Sequence, residues 1–343
     1  MKKRICLAVL GLLVTVVGFL GISVEGKAQP IVIRFSHVVA ENTPKGIGAQ
    51  MFKELVERRL PGKVVVEVYP RSEKFTDEQA IVGLLLGDVE MVAPSFPKFC
   101  RFGKSLQIFD IPFMFEDVAE VHRFQQSKAG LMLLSSMEAV GIKGLRYWDN
   151  GMRVLSANRS IQTPQDLKGL SFRIESSHVF HSQYASLGAT PRVLPYKLLP
   201  DALKTGLVDG YENSWSNILA SKLYLLRRNY TETGHSFLGY MVATSVSFWE
   251  GLPEDIRREL ERTLDEVTLE VNRLAEEKAL SDKNSLLHAG LVEVISLNKK
   301  EKQEWKDLLG PMSLQFTDDI NPEILLAAKQ AKYWRGPASL VGD

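Results

Sequence analysis

The sequence predicts an α/β fold of two lobes, and three patterns support this prediction. Between residues 31 and 93, short runs rich in β-branched residues alternate with amphipathic helical runs, the order that parallel strands and crossover helices produce. The succession of helix, glycine and strand occurs at 87–90 and again at 206–209, leading to Ser95 and Asn213, as if two half-modules faced each other across a cleft. Because that connection is common, the repeat could also arise by chance. The third pattern is one long uninterrupted helical stripe near the C-terminus.

The first 28 residues are typical of a secretory signal peptide. Basic residues at positions 2–4 precede an apolar run at 5–24, and small residues lead to a cleavage position after Ala28. We therefore expect the rest of the chain in the periplasm, its formal net charge changed from +1 to −2 by the loss of four basic residues and one acidic residue. An uncleaved membrane anchor is the alternative, since the apolar run is nearly long enough to span a bilayer.

The composition is that of an ordinary soluble globular protein, with 45% hydrophobic and 24% charged residues among 343. No run rich in lysine and arginine follows residue 4, which argues against nucleic acid or an anionic membrane surface as the partner. Cys6 lies within the predicted signal and lacks the small-residue motif that precedes lipid attachment, so Cys100 is the one cysteine of the mature chain. This excludes an internal disulfide and a thiol-rich metal site, and a buried, inert Cys100 is the simplest interpretation.

The sequence contains no motif that indicates catalysis or a cofactor. A nucleophile elbow, a zinc-protease helix, a phosphate-binding glycine loop and a cysteine pair are all missing. His178 and His181 share helical spacing and could face one way, but no third ligand motif accompanies them. We therefore predict a chain without metal, cofactor or enzymatic activity. A hydrolase whose residues only the fold brings together is the alternative.

Polar residues follow the predicted strands of the first half. The predicted elements are strands at 31–35, 64–69 and 89–93 and helices at 44–58 and 77–86. Ligands of open α/β sheets bind beyond the carboxyl ends of the strands, where His37 follows the first strand and Ser95 follows the third. His37 could instead be a turn histidine bonded to the backbone. Lys45, at the start of the first helix, could pair with an anion or be simply solvated.

One arginine of the second half is placed on a strand by its neighbours. A capped helical turn and a glycine stop at 163–169 precede a strand at 170–174, in which apolar residues alternate and leave Arg173 on the opposite face. A guanidinium among core strands must meet an anion or water, and its planar fork matches the two oxygens of a carboxylate. Arg153 lies one short strand upstream. A solvated arginine on an edge strand, or half of an internal salt bridge, is the alternative for Arg173.

A helix of roughly 50 Å is predicted from residue 253 to about residue 288. Its apolar stripe consists of Ile256, Leu260, Leu264, Val267, Val271 and Leu274. One small domain does not need a helix of this length, so we expect it to span both lobes. A coiled-coil partner helix is the alternative, but a single copy with mixed charges on its other faces suits an intramolecular brace better.

Three stretches in order carry a family resemblance: residues 147–153, 166–173 and 209–213. Together they resemble the periplasmic substrate-binding proteins of tripartite ATP-independent periplasmic (TRAP) transporters, and the likeness extends over about residues 33–288. The resemblance implies a two-lobed α/β fold of the periplasmic-binding-protein type, with the long helix spanning both lobes and a ligand cleft between them.

The order of elements and the resemblance together divide the chain into a signal peptide and two lobes. The signal peptide is expected at 1–28. Lobe I is expected at 29–150 and about 239–270, and lobe II at 151–238 and about 271–343.

The resemblance also implies how the cleft captures a small organic acid. Arg173 would hold a carboxylate through two hydrogen bonds, Arg153 would add positive charge, and Asn213 would offer its amide to the same carboxylate or to a neighbouring hydroxyl. Tyr196 matches an aromatic residue that closes over the substrate in the family, and a core or rim tyrosine is the alternative. A ligand that contacts both lobes would favour the closed form.

The stretches 147–151, 212–217 and 239–240 look most like the branch of the family that binds C4-dicarboxylates such as malate, succinate and fumarate. The second stretch contains Trp215, which is a further predicted binding residue. On this likeness the expected ligand is a C4-dicarboxylate.

The loop at 71–75 departs from the family, because relatives more often carry Asn/Gly-Gln-Leu where this chain has Arg-Ser-Glu-Lys-Phe. The loop borders the pocket in relatives, so Phe75 is a predicted binding residue and the identity of the acid is open. Lys45 or Lys74 would hold a second carboxylate if the ligand has one.

The resemblance implies that the membrane subunits of a TRAP transporter are the partners, with ion-coupled uptake and no ATP hydrolysis by this chain. The mature chain is expected to be a soluble monomer. One alternative is a protein of the same family that binds a sugar acid or another monocarboxylate. Another is a protein that presents its ligand to a sensor, which would have the same pocket and the same closure.

Overall fold

The computed structural model describes residues 29–333, so the predicted signal peptide at 1–28 lies outside the described residues. Two β-sheets form the centres of two lobes. We call the lobe built on the five-stranded sheet lobe I and the lobe built on the six-stranded sheet lobe II. Within the described range, no helix combines the length and the apolar character needed to cross a membrane.

Strands and helices alternate along most of residues 29–333. The strands are β1 (Ile31–Ser36), β2 (Val64–Tyr69), β3 (Met91–Val92), β4 (Ile142–Met152), β5 (Val154–Ala157), β6 (Ser171–Ile174), β7 (Thr190–Val193), β8 (Gly210–Asn213), β9 (Asn229–Glu232), β10 (Phe237–Ser245) and β11 (Glu293–Ser296). The helices are α1 (Pro44–Arg59), α2 (Asp77–Leu86), α3 (Val118–Gln125), α4 (Lys128–Ser135), α5 (His178–Ser186), α6 (Leu199–Lys204), α7 (Trp215–Ala220), α8 (Val246–Gly251), α9 (Glu254–His288), α10 (Lys299–Leu309) and α11 (Pro322–Gln330). Short 3₁₀ segments, including Pro164–Leu167, Tyr196–Leu198 and Gly310–Asp319, join several of them.

The two sheets confirm the predicted α/β architecture. In lobe I the strand order is β2-β1-β3-β10-β4, and β1 runs parallel to both β2 and β3, as the alternation of strands and helices predicts. In lobe II the order is β11-β9-β5-β8-β6-β7, with β6 parallel to β7 and β8. The result is an α/β fold of two lobes, each built around one sheet, as the sequence predicts.

Local signals set the helix ends that border the space between the lobes. Thr43 caps α1 by accepting a hydrogen bond from the N–H of Gly46. Thr76 and Gln79 form a reciprocal capping box at the start of α2, and Gly87 ends that helix in the left-handed region with a φ of 79°. These caps place the first residues of α1 and α2 near the carboxyl ends of the lobe I strands.

Strand connections carry the chain from one lobe to the other. Arg153 lies between β4 of lobe I and β5 of lobe II, and residues 233–236 lead back from β9 to β10. The two connections run side by side, since the N–H of Arg153 donates to the carbonyl of Ser236 at 2.9 Å.

The long helix α9 packs against both lobes, as the sequence predicts. Its first half buries a stripe in the lobe I core that includes Leu260, Leu264 and Val271. Near its other end Leu286 belongs to a core cluster of lobe II, and α9 also contacts α7 of that lobe.

The chain crosses between the lobes again after α10. Trp305 and Leu309 of α10 are buried in the core of lobe II. The 3₁₀ segment Gly310–Asp319 then leads to α11, whose Ile324 and Ala328 are buried in the core of lobe I. The expected bounds of the two lobes remain predictions. Within the range expected for lobe II, about 271–343, α11 packs on the core of lobe I.

Gly48 allows α1 to approach α9 closely. A β-carbon added at this position would collide with Cγ2 of Val271 on α9 and lie 3.3 Å from the ring of Trp148. Val271 and Trp148 both belong to the core of lobe I, and the indole N–H of Trp148 donates to Thr268 of α9 at 3.0 Å. The contact between α1 and the long helix therefore depends on glycine, which has no side chain, at position 48.

We expect the substitution Gly48→Ala to destabilise the protein by about 1–3 kcal/mol, the usual cost of overpacking a core. Gly251→Ala is the matched control, since no atom lies within 4 Å of the added β-carbon there, and its free energy of unfolding should change by less than about 0.5 kcal/mol. Urea unfolding measures both. Equal effects of the two substitutions would contradict the close approach of α1 to α9.

Candidate functional site

A cavity lies between the two lobes, and its space that is not occupied by atoms, about 310 Å³, includes solvent at its mouth. It lies beyond the carboxyl ends of β1, β3, β6 and β8, where the sequence predicts a ligand site. Of the predicted binding residues, those that line its wall are Ser95, Arg153, Arg173, Tyr196 and Asn213. Residues that line it and were not predicted include Asp77, Glu175, Glu212, Asn217 and Tyr240.

Arg173 on β6 is buried, with 2% of its surface exposed. Its neighbours Phe172 and Ile174 belong to the lobe II core, so the alternation along the strand turns Arg173 away from that core as predicted. The Nε atom donates to the carbonyl of Leu194 at 3.0 Å, and Nη2 has no hydrogen-bond partner among the described residues. A carboxylate in the cavity would satisfy this buried donor, which is otherwise costly to leave unpaired.

Arg153 is equally buried, but two carboxylates of the protein balance its charge. Nη2 donates to Glu175 at 2.7 Å, and Nη1 lies 3.4 Å from Glu212. Glu212 also accepts from the hydroxyl of Tyr184 at 2.8 Å and lies 2.9 Å from Nε2 of His235. Burial alone would lower the pKa of Arg153, but Glu175 and Glu212 raise it above its ordinary value. Arg153 thus reaches the cavity wall as a cation that two carboxylates balance, while its Nε, like Nη2 of Arg173, has no hydrogen-bond partner among the described residues.

Glu175 joins the two lobes across the cavity. Its Oε1 accepts a hydrogen bond of 2.7 Å from the hydroxyl of Ser95, which follows β3 of lobe I, while its Oε2 accepts from Arg153. Burial opposes the ionisation of Glu175, but Arg153, Lys98 and Arg173 hold the pKa of its carboxyl below the ordinary value. Glu175 follows the last residue of β6, so the rule that selects His37 and Ser95 at strand ends could have found it.

A second set of contacts closes the edge of the cleft. The hydroxyl of Ser176 in lobe II donates to Glu78 on α2 at 2.9 Å, and Lys98 donates to the same carboxylate oxygen at 2.6 Å. The thiol of Cys100 lies 2.9 Å from the carbonyl of Ser176. Burial raises the pKa of Cys100 to about 11, in keeping with the prediction of an inert thiol.

Lys45 and His37 stand behind the wall of the cavity on the lobe I side. Lys45 is fully buried, its Nζ donating to the carbonyl of Ala93 at 2.8 Å and lying 3.6 Å from the centre of the Tyr240 ring. Burial lowers the pKa of Lys45 to about 8, although the negative charges of Asp77 and Glu175 act to raise it. Burial and the nearby Lys45 lower the pKa of His37 to about 3, so this histidine is neutral at pH 7. Lys45 is therefore a buried cation of lobe I that lies against Tyr240, a residue of the cavity wall.

Asn213 and Tyr196 complete the lobe II wall. The Oδ1 atom of Asn213 accepts from the N–H of Ser214 and from Nδ2 of Asn217, each at 2.9 Å, which leaves its own Nδ2 as the group that can donate. The hydroxyl of Tyr196 lies 2.9 Å from that of Ser221, and its ring centre lies 5.9 Å from the guanidinium of Arg173.

Phe75 and Trp215, also predicted as binding residues, do not line this cavity. Phe75 packs against the core of lobe I. Trp215 donates to Glu232 at 3.2 Å and lines a separate groove beside α9. Lys74 lies over the ring of Tyr69 at 4.8 Å. The resemblance indicated which positions of the chain lie near the cleft. Whether a side chain at such a position points into the cavity depends on the packing around it.

The histidines considered as metal ligands do not form a metal site. His178 and His181 are exposed on α5. Among residues 29–333, no group of three or more His, Cys, Asp or Glu side chains is arranged to hold a metal ion.

Comparison with known proteins places the chain in a family. Residues 35–319 match the family model DctP, described as bacterial extracellular solute-binding protein, family 7. The C4-dicarboxylate-binding periplasmic protein DctP of Shewanella loihica is 43% identical over 314 residues, which cover 92% of this chain and 94% of that protein. Such coverage extends well beyond the cavity residues to both lobes.

Solved structures agree with the sequence match. A TRAP periplasmic solute binding protein from Shewanella oneidensis with bound succinate superposes with a TM-score of 0.86 at 45% identity, covering 88% of this chain and 99% of that chain. Another from Pseudomonas aeruginosa PAO1 with bound L-malate has a TM-score of 0.81 at 46% identity, covering 83% and 100%. The chain belongs to the DctP family of bacterial extracellular solute-binding proteins, as its resemblance predicts, and is a solute-binding transport protein rather than an enzyme.

Proposed function

We propose that this chain captures a C4-dicarboxylate, such as succinate, malate or fumarate, and delivers it to the membrane subunits of a TRAP transporter. The observation that carries the proposal is the buried Nη2 of Arg173, which belongs to a residue of the cavity wall and has no hydrogen-bond partner among the described residues. The names of relatives support the choice of acid, since the similar proteins from the two Shewanella species and from Pseudomonas aeruginosa bind C4-dicarboxylates, succinate and L-malate.

In this proposal Arg173 holds one carboxylate through parallel hydrogen bonds, and the amide of Asn213 donates to the same carboxylate or to the hydroxyl of malate. Arg153 contributes positive charge but is held by Glu175 and Glu212, so its main role is to order the lobe II wall. Tyr196 covers the ligand from beside Arg173.

Lys45 is the proposed partner of the second carboxylate. It is a buried cation of lobe I that lies behind the cavity wall, whereas Arg173 of lobe II lines the cavity. A dicarboxylate whose second carboxylate faces Lys45 would therefore be held by both lobes. A ligand that contacts both lobes binds the closed form more tightly than the open form and shifts the population toward closure. Membrane subunits would then recognise the closed form.

The location and the assembly follow from the same proposal. The predicted signal at 1–28 would export the chain to the periplasm and be cleaved after Ala28, and the mature chain would act as a monomer.

A panel of C4-dicarboxylates, sugar acids, aromatic acids and neutral sugars tests the proposal by thermal unfolding of residues 29–343. A dicarboxylate at about 100 times its Kd should add about 2.7 kcal/mol to the free energy of unfolding and raise the Tm by several degrees. Neutral sugars should have no effect. If sugar acids alone stabilised the protein, the solute-binding role would stand and the choice of a C4-dicarboxylate as the ligand would be wrong.

Substitution of Arg173 by glutamine should weaken succinate binding by about 100-fold or more, because it removes the charge and both hydrogen bonds to the carboxylate. Arg192→Gln is the matched control, since Arg192 is the exposed partner of Arg173 in the neighbouring strand β7. Its Kd should stay within about twofold of the wild-type value. Calorimetric titration measures both, and an unchanged Kd for Arg173→Gln would exclude Arg173 as the anchor.

The affinity for succinate should depend on pH through Lys45, whose pKa burial lowers to about 8. A dianion prefers the protonated ammonium, so affinity should be constant near neutral pH and fall above about pH 8, by up to about tenfold per pH unit. The Lys45→Gln variant should bind more weakly and lose this dependence. Calorimetry across this range would contradict the role of Lys45 if both proteins showed the same slope.

Removal of the Ser95 hydroxyl tests closure separately from ligand contact. Because Ser95 bonds Glu175 of the other lobe, Ser95→Ala should weaken succinate and malate binding by a similar factor of about 10–100, the worth of one hydrogen bond to a charged group. A loss for malate alone would show instead that Ser95 contacts the hydroxyl of the ligand. Titration of the two acids against one variant gives the comparison.

A further inference from the structure

A second cavity, separate from the cleft, lies where the C-terminal part of the chain crosses from lobe II to lobe I. Its walls include Phe113, Lys306 of α10, and Lys329, Lys332 and Tyr333 at the end of the described chain. It is open to solvent, and its space that is not occupied by atoms, about 940 Å³, includes solvent at its mouth. It shares no wall residue with the cleft cavity.

Positive charge dominates the walls of this cavity, whose charged residues are three lysines and Glu116. The carboxylate of Glu116 lies 2.6 Å from Nζ of Lys306 and 3.5 Å from Nζ of both Lys302 and Lys332. Burial opposes the ionisation of Glu116, but these lysines hold the pKa of its carboxyl below the ordinary value. The next carboxylate, Glu120, accepts from the N–H of Glu116 at 2.8 Å and is not part of the wall. Cations therefore outnumber anions around the cavity.

The cations of the wall come from both lobes. Lys306 lies on α10, which is anchored in the lobe II core by Trp305. Lys329 lies on α11, which is anchored in the lobe I core, and Lys332 follows it. Lys306 and Lys332 approach the same oxygen of Glu116, so two ammonium groups converge on one point that is balanced by a single negative charge.

The cavity also adjoins a connection between the lobes. Phe113 adopts a φ of 56°, a conformation that is unusual for a large side chain. Its N–H donates to the carbonyl of His235 at 2.7 Å, in the segment that links β9 to β10. Its ring packs against the core of lobe II and lies 5.8 Å from Nζ of Lys306.

We propose that this cavity is an effector site for a compact multivalent oxyanion, of the phosphate or polycarboxylate class. Lysine ammonium groups bind such anions as point charges, and a cavity with several of them favours multivalent over monovalent anions. An anion that contacts Lys306 together with Lys329 or Lys332 binds only the arrangement that keeps the two lobes as they are in this closed structure. Its binding therefore raises the affinity of the cleft for its own ligand, and the coupling is reciprocal.

Pyrophosphate is the probe for this site. Calorimetric titration of residues 29–343 at constant ionic strength, balanced with sodium chloride, should show one pyrophosphate per chain, both with and without saturating succinate. Saturating pyrophosphate should raise the affinity for succinate by about fivefold or more, the lower range of allosteric coupling. No pyrophosphate binding, displacement of pyrophosphate by succinate, or an unchanged succinate affinity would each overturn the proposal.

A pair of matched variants locates the site. The double substitution Lys329→Gln and Lys332→Gln should weaken pyrophosphate binding by about tenfold or more and leave succinate affinity unchanged in its absence. The control, Lys299→Gln and Lys300→Gln, removes the same charge from exposed positions in the first turn of α10, outside the cavity wall, and should bind pyrophosphate within about twofold of wild type. Equal losses in the two double variants would show a general effect of net charge and exclude the cavity as the site.

Discussion

Two arginines are buried between the lobes, and the need to match their charges constrains the elements around them. A guanidinium that leaves water has to meet carboxylates or other acceptors, or its burial costs several kcal/mol. Arg153 meets Glu175 and Glu212, so β6 and β8 must lie beside the connection that carries it. Arg173 meets one carbonyl and keeps a free donor toward the cavity. The proposed capture of an organic acid depends on this difference between two arginines that look alike in the sequence.

Closure of the cleft depends on contacts that belong to the protein itself. Glu175 is bonded to Ser95 across the cavity, and Ser176 is bonded to Glu78 at its edge. Three other parts of the chain join the lobes, namely the paired connections around Arg153, the long helix α9 and the segment between α10 and α11. A ligand in the cleft therefore has to add only those contacts that exist in the closed form and are missing in the open form. An anion in the second cavity, beside the segment between α10 and α11, would act on the same equilibrium between open and closed forms.

Much of the fold could be predicted because it depends on local patterns. The alternation of strands and helices in the first half predicted the parallel β1, β2 and β3, and the unbroken apolar stripe predicted α9. The alternation around Arg173 also predicted which face of β6 it would occupy. The sequence did not predict that α11 packs on lobe I. A short apolar stripe shows that a helix has a buried face, but it does not specify which core that face packs on.

The sequence by itself determined the α/β class, the long brace helix, the family, the strand-end position of Ser95 and the strand face of Arg173, since each follows from periodicity, capping or ordered motifs. The tertiary structure decided which charges meet. Glu175 pairs with Arg153 and Ser95 from different lobes, Trp215 lies along a groove outside the cleft, and Lys45 is buried beside Tyr240. These outcomes depend on contacts between residues far apart in the chain, and no local pattern specifies the distance between such residues.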